Sequence, residues 1–169
     1  MVALVVGTSG LSGLASEDTM SPDRVSAAYQ PYFLSLFRFI TGLSLFQFGV
    51  AKLFKFPPVP MFADVAPFSL YGFAGTIELV LGGMLLLGLL TRPVAFILSG
   101  EMAFAYFLGH FPKGFFPVLN GGTLAIMLCF SCLYLAAAGG GPLSLDAFRR
   151  LVGMPQPDAD FRGFGHARR

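Results

Sequence analysis

The chain has 169 residues, 55% of them hydrophobic and only 12% charged, with a net charge of +2 and a mean hydropathy of +0.73. An average soluble domain is about one-quarter charged, so this composition indicates a membrane protein of single-domain length. The small net charge, with no basic run interleaved with aromatics and no zinc-finger spacing, excludes nucleic acid as a partner. Two cysteines cannot build a disulfide framework.

In chain order, residues 1–29 form an N-terminal segment set apart from the fold. Its start, "MVALVVGTSGLSGLASEDTM", lacks the basic region of a secretory signal, and Glu17 and Asp18 follow at once. It reads equally well as an extension upstream of a chain that begins at Met20. Residues 30–147 are the expected membrane domain. Four apolar runs have spanning length at about 20 residues per crossing: Tyr32 to Phe54, Phe68 to Leu90, the shorter Pro93 to His110, and Pro117 to Ala138. Each is bounded by breakers: "FPPVPMF", "TRP", "HFPKGFFP" and "GGGP". Lipid-exposed backbone must satisfy its own polar groups, so helices are expected. A barrel would need alternating strands, and these runs do not alternate. The fold class is therefore all-α integral membrane, an antiparallel bundle of four transmembrane helices. Arg24, Arg38, Arg92, Arg149, Arg150, Arg162, Arg168 and Arg169 fall on one side, and Lys52, Lys55 and Lys113 on the other. The positive-inside rule then puts both termini in the cytoplasm, and the expected location is the inner membrane, as a multi-pass chain. After the last run, "PLSLDAFRRLVGMP" predicts a short helix capped by Ser144 or Asp146, with Arg149 and Arg150 as an ordinary positive-inside anchor or, alternatively, as contacts to an anionic leaflet. Residues 148–169 form a cytoplasmic tail.

A charge at mid-bilayer costs roughly 3 kcal/mol on insertion scales, so the few intramembrane ionisable groups should face other helices. On the first run Arg38, Gly42, Leu45, Gly49 and Lys52 share a face, and its two glycines invite close approach by another helix. On the second, Gly75, Glu78 and Gly82 do the same. By helical rise, Arg38 lies about 9 Å and Glu101 about 12 Å from the same edge, which predicts an ion pair between them. Glu78 is deeper, with no cation evident at its level. It is expected to accept from Gln47 or Tyr106, or to be held as the neutral acid. Two roles are open for these groups: holding the helices in register, or binding a polar head group and passing protons. Cys129 and Cys132 in "CFSC" lie deep in hydrocarbon, where thiolates are disfavoured, and are assigned to packing. His110 has no second ligand nearby, so no metal site is expected.

The pieces "FRFITGLSLFQFGVAKLFKF", "GTIELVLGGMLLLGLLTRPVAF", "EMAFAYFLGHFPKGFFPVLNGGTLAIMLCF" and "LYLAAAGGGPLSLDAF", in this order, resemble the DoxX family of four-helix membrane proteins over Phe33 to Phe148. The likeness centres on Arg38, Gly49, Lys52, Glu78, Gly82, Gly83, Thr91–Arg92 and Asn120–Gly121–Gly122. After the Asn-Gly-Gly, relatives typically carry glutamate where this chain has Thr123. The resemblance implies an accessory subunit of a quinone-linked membrane oxidoreductase, since the name-giving relatives look like subunits of a quinone-reducing thiosulfate oxidation system. Arg38, Glu78 and Glu101 would line a polar or quinone site, with Lys52, Asn120 and Thr123 as weaker members. Quinone is the one cofactor implied, and other oxidoreductase subunits and the bilayer are the partners. No haem, flavin or iron–sulfur motif appears in the chain. The alternative is a non-catalytic scaffold or assembly factor. A small transporter is weaker, because no internal repeat or broken helix is evident. A membrane dithiol enzyme is weaker still, because the outer loops have no cysteine to relay electrons.

Overall fold

The computed structural model describes residues 22–153. The expectations for Met20, for the leading segment before residue 22 and for the tail with His166 lie outside the described residues. The chain divides into two compact units, Met1–Gln30 and Pro31–Arg169. Of the first, Pro22 to Gln30 is described and is helical; the second builds the bundle.

Among the described residues every regular element is helical. Helix α1 runs over Pro22–Phe54, ten residues longer at its start than the apolar run, because Pro22 sits where a missing N–H costs nothing. It stops where Lys55 turns to φ +58°. There the Lys55 ammonium donates to the carbonyls of Lys52, Phe62 and Val65, at 3.0, 2.7 and 2.8 Å, which ties the following loop to the helix end. Helix α2 spans Leu70–Leu87; Ser69 caps its start by accepting from Gly72 N–H, and Gly88 at φ +72° ends it. Helix α3, Thr91–Phe104, continues into a π-helical segment, Ala105–His110, and a 3₁₀ turn, Phe111–Lys113. The third apolar run is thus longer than Pro93 to His110.

The fourth expected run is interrupted. Helix α4, Pro117–Asn120, ends at Gly121 with φ +74°, and α5, Thr123–Ala138, begins after it. Asn120 stabilises the break: its Oδ1 accepts from Gly122 N–H and its Nδ2 donates to Gly114 O, each at 2.8 Å. Helix α6, Leu145–Leu151, is capped by Ser144, which accepts from Ala147 N–H. Among the described residues three helical stretches are long and apolar enough to cross a membrane: Ser26–Phe54, Leu70–Leu87 and Thr91–Lys113. The apolar helix Thr123–Ala138 has 16 residues, about 24 Å of rise against a hydrocarbon core of about 30 Å.

Glycines set the α1–α2 contact. A Cβ on Gly42 would strike the Leu86 backbone and one on Gly49 the Leu79 backbone, while one on Gly82 would lie 2.7 Å from Phe46 N. Backbones pack this closely only where side chains are absent. Helix α3 packs on α5 and α2, and Leu45, Leu85, Leu98, Cys132 and Leu135 form a fully buried core. Cys132 serves there as a small apolar residue, and the Cys129 sulfur lies 3.5 Å from Ser99 Oγ. Phe39, Phe96 and Phe130 point outward, as lipid-facing residues do.

Candidate functional site

Intramembrane polar groups gather in two places. At the α2–α3 turn, Arg38 is 2% exposed and spreads its guanidinium over four carbonyls. Nη1 donates to Leu85 O at 2.7 Å and to Leu86 O, Nε to Gly140 O at 3.0 Å and Nη2 to Leu143 O at 2.7 Å. The last carbonyls of α2 lack partners within the helix, and a cation favours a helix C-terminus, so Arg38 ties that end to the loop before α6. Gly88 is obligatory here: its φ is left-handed, and a Cβ would lie 2.5 Å from Ser144 Cβ and 3.0 Å from the Arg38 Cζ. Asp146 completes the knot by accepting from Leu90 N–H, Thr91 N–H and the Thr91 hydroxyl at 2.8, 2.8 and 2.9 Å. It thereby caps α3, while Ser144 caps α6. The Arg38–Glu101 pair expected from depth does not form. Depth does not fix which face of a helix a residue occupies, and the free carbonyls of α2 claim the guanidinium.

The second place lies deeper between α1, α2 and α3. Lys52 donates to both Glu78 oxygens at 2.7 Å, with side chains 9% and 3% exposed. The expectation that Glu78 lacks a cation is corrected by the reach of lysine. Lys52 sits in the last turn of α1, but its flexible stem runs inward across Gly75, where a Cβ would come within 2.9 Å of Lys52 Cβ. The ammonium also lies 5.4 Å from the Phe62 ring centroid and 6.0 Å from that of Phe48. Gln47 is exposed, and Tyr106 packs on Gly122; neither bonds to Glu78.

Glu101 belongs with this pair. Both of its carboxylate oxygens are buried and have no hydrogen-bond partner. Glu101, Glu78 and Lys52 line one cavity of about 400 Å³, within the usual range for ligand sites. Its walls are largely apolar and aromatic, with Phe48, Phe62, Tyr71, Phe73 and Phe104 among them. Towards the Lys113 end the cavity reaches His110, on the π-helical segment. The His110 Nδ1 lies 3.1 Å from Asn120 O. Of the weaker candidates, Lys52 is central, Asn120 is committed to its turn, and Thr123 is exposed and outside the cavity lining. Sequence reasoning passed over His110 and Lys113 as members of this site. The register of Gly49 and Gly75 was the available signal for the Lys52–Glu78 pair. Among the described residues no group of three His, Cys, Asp or Glu side chains is placed to hold a metal.

The DoxX family model matches residues 33–111, which carry Arg38, Lys52, Glu78 and Glu101. An uncharacterized protein of Haemophilus influenzae is 43% identical over 124 residues, covering 70% of this chain and 91% of the relative. The chain belongs to the DoxX family. With its membrane-length apolar helices, this DoxX member is a multi-pass membrane protein. No solved structure matches it significantly. DoxX membership covers the cavity through α1, α2 and the π-helical segment; α5, which adds Leu124, Ala125 and Leu128 to the lining, lies beyond the matched residues.

Proposed function

We propose that this DoxX protein is an inner-membrane accessory subunit that holds the head group of a lipid-soluble quinone for a partner oxidoreductase. The observation that carries this reading is Glu101, a buried carboxyl without a partner, beside the Lys52–Glu78 pair in an aromatic-walled cavity. A buried polar atom left unpaired costs about 1–3 kcal/mol, and a ring hydroxyl or carbonyl would remove that cost. Aromatic walls suit a planar ring, and the apolar rim, with Phe73 and Phe104 exposed, suits entry from lipid. The neutral Lys52–Glu78 pair supplies both a donor and an acceptor at the floor. In this reading α4 and α5 together make a fourth crossing. Arg38, Arg92, Arg149 and Arg150 then lie towards the cytoplasm with both termini, and a cysteine placed at position 92 is labelled only from inside the cell.

The test uses the full chain purified in mild detergent and a photoreactive azidoquinone. Labelling is expected on the peptides around Glu101 and Phe104, competed by unlabelled quinone and reduced about tenfold in Glu101→Gln, the loss of the acid's hydrogen bond to the ring. Labelling spread over the lipid-facing helices and unchanged by Glu101→Gln would overturn the assignment. If Glu78→Gln then lowered the abundance of a co-purifying partner but left its turnover per complex intact, the chain would be a scaffold.

A further inference from the structure

The same cavity has a second property that does not depend on which ligand fills it. Two carboxyl groups, Glu78 and Glu101, line the cavity with one ammonium, Lys52, which is bonded to Glu78. The trio is neutral only when one proton is bound, and an unbalanced charge inside a bilayer is expensive. Lys52 already holds both Glu78 oxygens, so the proton that balances the site resides on Glu101, whose oxygens have no other partner. The ionisable groups near Glu101 are Lys52 from α1, Glu78 from α2 and the neutral Cys132 thiol from α5.

Such a proton needs a way in and out. His110 follows Glu101 by nine residues, about 13 Å along the helix axis, and lines the same cavity. Between them the helix widens into its π-helical segment, where Ala105 and Gly109 form part of the wall. Such segments are often found at functional sites, and these two small residues leave the passage wide. The cavity has room for roughly a dozen waters at about 30 Å³ each, with polar groups at both ends. Asn120 O fixes the ring through Nδ1 and leaves the other ring nitrogen free to exchange. Around His110 the facing groups are Lys113, on the adjoining turn, and Tyr71, from α2.

We infer that His110 is the relay through which Glu101 exchanges its proton with the end of the bundle that carries Lys113. This rests on the cavity assigned above, but not on quinone as its occupant.

The test needs no ligand. In the full chain reconstituted in lipid nanodiscs, infrared spectroscopy follows the carboxylic-acid C=O band after transfer to heavy water. Glu101→Gln is expected to remove the band. His110→Leu is expected to keep the band and slow its isotope shift roughly tenfold or more, the scale of a lost acid–base group, and added imidazole restores the rate. His110→Gln keeps a hydrogen bond to Asn120 O but carries no transferable proton, so it is expected to be slow as well, and it covers the case in which the leucine variant does not fold. A band that survives Glu101→Gln overturns the inference. So does an isotope shift as fast in both His110 variants as in the parent chain, or one slowed by Lys113→Gln alone. Azidoquinone labelling that persists in a chain with slow exchange separates this result from the ligand assignment.

Discussion

Arg38 and Glu101 are both ionisable residues on membrane-length helices, yet they end in opposite conditions. Arg38 closes a knot in which guanidinium, carboxylate, hydroxyls and helix-end carbonyls answer one another. Glu101 keeps two buried oxygens unanswered at the wall of a cavity. Low dielectric makes both arrangements consequential: a satisfied buried network rigidifies its surroundings, and an unsatisfied one is costly unless something else completes it. The knot therefore reads as architecture and the cavity as a place where a ligand or a proton is received. The Lys52–Glu78 pair stands between these extremes, bonded like the knot but open to the cavity.

Removing the knot should do the most damage. Arg38→Met strands the helix-end carbonyls and a facing Asp146, and a loss of about 3–5 kcal/mol is expected, as for breaking a buried ionic network. Thermal unfolding in detergent would show it, with Arg38→Lys failing to restore stability because one ammonium cannot span both helix end and loop. The pair comes next. Lys52→Gln or Glu78→Gln alone should cost about 3 kcal/mol by leaving one charge buried without its partner, while the double variant Lys52→Met with Glu78→Met should cost much less. A double-mutant cycle measures the difference. Glu101→Gln should have the smallest effect on unfolding, under about 1 kcal/mol, because no protein hydrogen bond is lost. A large destabilisation there would place Glu101 with the knot and close the distance between the two regions.

Much of the bundle was legible in the sequence because hydropathy and breakers carry it. The α1–α2 contact was also legible, since Gly42, Gly49, Gly75 and Gly82 can serve little purpose on apolar faces except close approach. The partners of the charged groups were not. Arg38 and Glu101 were matched by depth, but pairing depends on helix rotation and on acceptors invisible in one-letter code, here the backbone carbonyls of Leu85, Leu86, Gly140 and Leu143. Lys52 was placed at the outer edge because its Cα is there, although its ammonium is not. The break at Gly121–Gly122 was present as letters, but an apolar run on both sides concealed it. Thr123, where the resemblance led to an expectation of glutamate, lies outside the cavity lining and leaves the trio of Lys52, Glu78 and Glu101 intact.

The π-helical segment over Ala105–His110 has a consequence for how this site tolerates change in length. A π turn accommodates one residue more than an α-helical turn does. Deleting a single residue there would let the ladder close into ordinary α-helix, and the later side chains on that helix would keep their facing. His110 would stay at the cavity, and Glu101, upstream of the change, would stay where it is. In a helix of plain α geometry the same loss of one codon would instead swing every later side chain by about 100°.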